Sequence, residues 1–258
     1  MQARFPIPRL TEPFIDEIVR RVGGRRFTEV YSPPSGMANP DYVFPGFLAE
    51  AKILEEEGLA KNARQAKLAK ILSGSGEKFA QEDFYDAASP KLKRQIEDLL
   101  LEPIQGAIKK ASKQFKAARA LPLFGTFSTV LIAVNSGYSS LPPDLFKALV
   151  LRCCRQDTSQ IDLSVCLSVH HHQGDFDSYV FFTKEAIHIH DQVSWDIEKR
   201  FIATADTCFE EAMTMMMCDQ LNQDVWAQHL APVEDILFEG DGISYVRRCL
   251  SVPDSRFS

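Results

Sequence analysis

The sequence predicts an α/β fold in which helices flank a mixed central sheet. Three observations predict it. Helical and strand patterns alternate from the first residues in the order helix, strand, strand, strand, helical insertion, helix, strand. The run "TVLIAV" is apolar at nearly every position, as in a strand buried on both faces. The segment "IDLSVCLSVHHH" instead alternates, with Ile161, Leu163, Val165, Leu167 and Val169 on one face.

The elements follow in order. "TEPFIDEIVRRVGG" places a Thr11 cap and Pro13 ahead of an apolar stripe (Phe14, Ile15, Ile18, Val19, Val22) and ends in Gly23-Gly24, so it predicts the first helix. "RRFTEVYS" reads as a first strand closed by "PPSG". "DYVF" and "FLAEAKIL", joined by Pro45-Gly46, read as a hairpin. Residues 58–100 turn charged and Ala-rich and predict a helical insertion. Residues 89–121 look helical in two pieces broken near Pro103. "TFSTVLIAVNSG" is the buried strand and "PPDLFKALVLRCC" the next helix. "DSYVFFTK" and "EAIHIHD" add strands, and residues 206–230 read as a final helix. The domain organisation expected is a core over 1–155, with the insertion at about 58–100, and a C-terminal α/β extension over 156–258 packed on it, available for dimerisation.

The bulk composition narrows the function classes. The chain has 258 residues, 45% hydrophobic and 25% charged, with a formal net charge of −6. An acidic chain does not grip a polyanion by bulk charge, so a nucleic-acid partner would need a local basic groove. No apolar stretch reaches membrane-spanning or signal-peptide length, so a cytoplasmic protein without membrane attachment is expected. The six cysteines (153, 154, 166, 208, 218, 249) form no C-x-x-C pair and lie among apolar residues, which predicts reduced, buried thiols.

The chemistry concentrates in "PDYVFPGFLAEAKIL". By strand alternation Glu50 and Lys52 share a face with Leu48 and Leu54. Placing a carboxylate and an ammonium on a half-buried face is costly unless they are paired or used. The Pro45-Gly46 turn would fold Asp41 back beside Glu50. Two acidic side chains can hold Mg²⁺ through hard oxygen ligands, and a lysine beside them suits phosphodiester hydrolysis.

Pro40-Asp41 followed by Glu50-Ala51-Lys52, in this element order, resembles the PD-(D/E)xK nuclease superfamily and its restriction-endonuclease-like αβββαβ core. The resemblance covers roughly residues 10–155. It implies a metal-dependent nuclease, DNA before RNA, acting in restriction or phage defence. Asp41, Glu50 and the Ala51 carbonyl would be Mg²⁺ ligands, with Mn²⁺ as a substitute, and Lys52 the catalytic lysine. It also implies an acid from the first helix, for which Glu12, Asp16 and Glu17 remain open. A Gln from the following helix, Gln114, would join the site, with Lys113 and Lys116 contacting phosphates. Homodimerisation or a partner protein supplying recognition would accompany this reading. The alternative is a catalytically inactive protein of the same fold, acting as a binding or assembly subunit.

Other signals favour plain structural roles. "HHHQGDFD" (170–177) reads as a polar hairpin turn. "HIHD" (188–191) reads as a solvated strand face, and "SGSGEK" (73–78) as a flexible linker. "AMTMMMC" reads as core or subunit packing. The basic helices over 61–70 and 109–119 read as solvated faces or as a rim guiding a nucleic-acid backbone.

Overall fold

A computed structural model describes residues 9–55, 62–75, 88–136, 141–173, 178–190, 195–219, 236–240 and 243–247. Helix α1 (Glu12–Arg21) is followed by β1 (Arg25–Arg26), a short helix α2 (Phe27–Val30), β2 (Tyr42–Phe44) and β3 (Phe47–Leu54). Next come α3 (Asn62–Ser75), the long helix α4 (Pro90–Arg119), β4 (Ser128–Asn135) and α5 (Pro143–Asp157). The rest is β5 (Leu163–Gln173), β6 (Ser178–His188), α6 (Glu198–Asp219), β7 (Ile236–Gly240) and β8 (Ile243–Arg247).

Strands β1 to β6 form one six-stranded mixed sheet in sequence order, and β7 and β8 form a separate antiparallel ribbon. The pairs β3/β4 and β4/β5 are parallel, while β1/β2, β2/β3 and β5/β6 are antiparallel. β4 lies between two parallel neighbours and is buried from Thr129 to Asn135, which explains its unbroken apolar run. Two apolar layers sandwich the sheet. Ala49, Val130, Ile132 and Val165 pack with α1 and α6 on one face; Leu48, Leu131, Ala133 and Cys166 pack with α3, α4 and α5 on the other. The region after 155, expected as an extension, thus supplies two strands of the main sheet.

Several expectations need correction. The first strand spans only Arg25–Arg26, and the chain then turns helical, because Phe27 is drawn under the sheet beside Tyr31 and Phe124. α4 is one helix straight through Pro103. Leu99, Leu100, Ile104 and Ile108 are all buried, so packing on both sides of the proline outweighs the lost backbone hydrogen bond. The last part of the expected insertion, from Pro90, therefore belongs to the same helix as the core segment beyond Pro103. Pro103→Ala is expected to raise stability by about 2 kcal/mol in denaturant titration, by giving the Leu99 carbonyl its donor back.

His170 to Gln173 belong to β5, not to a turn, and His170 stacks on Phe181 with ring centroids 5.0 Å apart. The strands expected separately over 177–191 are one strand, β6, ending at His188, which pairs with Glu198 at 3.0 Å. Ser73–Ser75 of "SGSGEK" are helical, and the β7–β8 ribbon has no counterpart among the expected elements. Ile161 packs on the α4 face instead of with Leu163. Met216 is buried and Met215 is 55% exposed. Burial pushes the thiols of Cys153 and Cys166 up to about 12, as befits inert core cysteines. Residues 58–61, 76–87, 137, 174–177, 191 and 220–230 of these expectations, and Cys249, lie outside the described residues. Among the described residues no helix is long and apolar enough to cross a membrane.

Candidate functional site

The hairpin β2–β3 builds the site. Gly46 takes φ 76°, a left-handed conformation favoured by glycine, and with Pro45 closes the two-residue turn that pairs Phe44 with Phe47. The register then sets Tyr42 opposite Ala49, so Asp41 meets Glu50 as the next pair. Glu50 and Lys52 point to the α4 face, as alternation requires, and Glu50 is completely buried.

The two acids are locked together. The Asp41 N–H donates to Glu50 Oε2 at 2.9 Å, and the Ala51 N–H donates to Asp41 Oδ2 at 2.9 Å. The Lys52 ammonium pairs with Glu50 Oε1, its side chain 21% exposed while that of Glu50 has no exposure. Gln114 of α4 donates to the Asn39 carbonyl at 2.8 Å and lies near enough to Glu50 to favour its ionised form. Burial pushes the Glu50 carboxyl up to about 8, reinforced by the neighbouring Asp41 charge and opposed by Lys52 and Gln114. Burial raises Asp41 as well, against the pull of the Ala51 N–H and Lys52. The two acids titrate as a coupled pair that binds a proton more readily than isolated carboxyls do.

Pro40 adds a backbone group. The Gly46 and Leu54 carbonyls accept from Ser128 and Ser136, so even-numbered residues of β3 turn their backbone toward β4 and odd-numbered ones toward β2. The Ala51 carbonyl therefore points beside Pro40, which has no N–H to close that rung.

The three first-helix acids behave differently from one another. Asp16 uses both oxygens elsewhere, accepting from the Tyr42 hydroxyl at 2.8 Å and from Arg26 at 2.5 Å, on the sheet face away from Glu50. Glu12 also pairs with Arg26, at 2.6 Å. Glu17 is held by hydrogen bonds from Arg20 and Arg21, which pull it down to about 2. Arg26 also lies over the Tyr42 ring, 4.9 Å from its centroid. The trio Arg26, Asp16 and Tyr42 clips α1 to the start of β2. Asp16→Ala should cost about 2 kcal/mol of stability in urea, because the buried Tyr42 hydroxyl loses its charged acceptor.

Among the described residues there is no group of three or more His, Cys, Asp or Glu side chains arranged to hold a metal ion. The oxygen donors brought together are two carboxylates and one main-chain carbonyl. That set fits Mg²⁺, which binds through one or two carboxylates and keeps several waters. On α4, Lys113 and Lys116 are both exposed. At about 100° per residue, Lys113 flanks Gln114, whereas Lys116 projects from the far side of the helix. Lys110, exposed and one turn before Gln114 on the same face, fits a phosphate contact better; its i, i+4 spacing to Gln114 was the available signal.

No protein-family model, curated protein or solved structure matches this chain. The site has only its own chemistry to be read from: a buried carboxylate pair, a lysine bonded to one member, an amide from the facing helix, and an open main-chain carbonyl.

Proposed function

We propose that the protein is a metal-dependent nuclease that hydrolyses phosphodiester bonds, in DNA before RNA, on a restriction-endonuclease-like core, with restriction or phage defence as its setting. The observation that carries this reading is the convergence of Asp41, Glu50, Lys52 and Gln114 on one point at the β2–β3 hairpin. With α2 and α3 interposed, the succession α1, β1, β2, β3, α4, β4 matches the αβββαβ order and supports the same reading.

Asp41, Glu50 and the Ala51 carbonyl would hold Mg²⁺ or Mn²⁺. The ion would supply polarisation of the scissile phosphate and acidification of the attacking water. Glu50 would hold the cation as a carboxylate, since a nearby positive charge offsets the cost of ionising it. Lys52 stands between Glu50 and solvent, where it can orient the nucleophile, move its proton and offset negative charge as the phosphorane develops. Gln114, beside Glu50, holds the approach to Pro40-Asp41 through the Asn39 carbonyl.

A second reading, a non-catalytic binding or assembly subunit of the same fold, draws on the engagement of Glu12, Asp16 and Glu17 outside the site. Incubation with linear, circular and single-stranded DNA and with RNA separates the two. Cleavage dependent on Mg²⁺ or Mn²⁺ and stopped by EDTA is expected. Intact substrates in both metals would leave the second reading.

A further inference from the structure

A cleft of about 520 Å³ opens between α3 and the N-terminal half of α4. Lys67, Lys70 and Lys91 line it, with Ile71, Leu92 and Leu99 contributing its apolar surface. Its two acids already have basic partners. Glu102 is paired with Lys67 at 2.6 Å and with Arg64 at 3.9 Å, and Asp98 is paired with Arg152 at 3.0 Å. Lys70 and Lys91 have no carboxylate partner among the described residues, so the described lining carries positive charge beyond its acids.

The cleft is aligned with the candidate site. Leu92, Gln95, Leu99, Glu102, Gly106, Lys110 and Lys113 follow one another at steps of three or four, so they form one stripe along α4. Its first four members line the cleft, and its last two flank Gln114. Gly106, between the two ends, has open space around its Cα. Lys91 and Lys113 are separated by roughly 33 Å along the helix axis, at 1.5 Å per residue. That is close to one turn of duplex DNA, about 34 Å, after which a backbone returns to the same side of the double helix. Among the described residues the lining is lysine, acid, amide and aliphatic, without an aromatic ring, which suits a backbone contact better than base stacking.

We propose that this cleft is a second contact for duplex DNA, gripping the sugar–phosphate backbone about one turn from the point held at Asp41, Glu50 and Lys52. The assignment rests on the nuclease reading for its register but makes a separate claim about where binding energy arises. The enzyme measures substrate length: a duplex that spans only the hairpin site lacks the outer contact.

Fluorescence anisotropy in EDTA with labelled duplexes of about 12 and about 30 base pairs tests it, comparing the wild type with Lys70→Glu/Lys91→Glu. The wild type should bind the long duplex at least about tenfold more tightly than the short one, and the double variant should lose that advantage. The slope of log affinity against log salt should fall by about two on the long duplex for Lys70→Ala/Lys91→Ala. Unchanged melting temperatures identify folded variants, and the alanine pair covers the case in which charge reversal disturbs folding. Equal affinity of wild type and both variants for the long duplex, with equal salt slopes, overturns the proposal even if cleavage is seen. Loss of the length effect without any cleavage by wild type would uphold the cleft and sink the nuclease reading. Preference for single-stranded DNA or RNA over the duplex overturns it.

Discussion

Glu50→Gln should abolish hydrolysis and at the same time stabilise the metal-free protein above pH 8. Both effects arise from one carboxyl. Glu50 is fully buried and titrates at about 8 in the fold, against 4.5 as its ordinary value. The folded state therefore holds a proton that the unfolded chain has released. Stability from this group is fully present below pH 4.5, falls as pH rises through the window to about 8, and is flat beyond it. The slope approaches 1.4 kcal/mol per pH unit in mid-window. Glutamine keeps the shape and an acceptor for Lys52 but has no charge to bury, so the slope should vanish in urea titrations from pH 5 to 9 in EDTA. Mg²⁺ should restore the wild type at high pH by binding the ionised form and leave Glu50→Gln unmoved. The cleavage rate should fall by about 1,000-fold or more, the several kcal/mol that carboxylate-held metal chemistry supplies. A variant that still cleaves, or a wild type with no slope between pH 5 and 8, would remove Glu50 from the site.

Lys52→Ala should separate chemistry from cation binding. Its ammonium is bonded to Glu50 and reaches the surface, so in the proposed nuclease its removal would take away a proton carrier and a charge beside the phosphate. Cleavage should drop by about 10²–10⁴-fold, the range for a positioned acid or base. Mg²⁺-dependent stabilisation, measured by thermal melting at pH 8.5, should persist, because Asp41, Glu50 and the Ala51 carbonyl remain. Loss of both together would make Lys52 a structural partner of Glu50 and favour the non-catalytic reading.

Much of the hairpin is legible in the sequence because its rules are local. Alternation puts Glu50 and Lys52 on one face, and Pro45-Gly46 sets the turn that brings Asp41 opposite Glu50. The apolar run of β4 likewise announces its burial. Where the sequence misleads, a distant contact outweighs a local preference. Pro103 argues for a break, yet Leu99, Leu100, Ile104 and Ile108 hold α4 straight through it. Arg25 to Ser32 suggest a strand, yet Phe27 turns the chain into the core with Phe124. Three acids on α1 look equivalent, and only packing reveals that Asp16 is tied to Tyr42 and Arg26.

The sequence by itself determined which side chains share a face and which residues meet across the hairpin, since those depend on dihedral periods and a two-residue turn. The tertiary structure alone decided that Glu50 is sealed from water, that Gln114 arrives from α4 to meet it, and that a lysine-lined cleft continues along the same helix. Desolvation and cleft geometry are sums over elements far apart in the chain. No local pattern encodes them, so a carboxyl that the sequence places on a half-buried strand face becomes a fully sealed group in the fold, with its affinity for a proton raised.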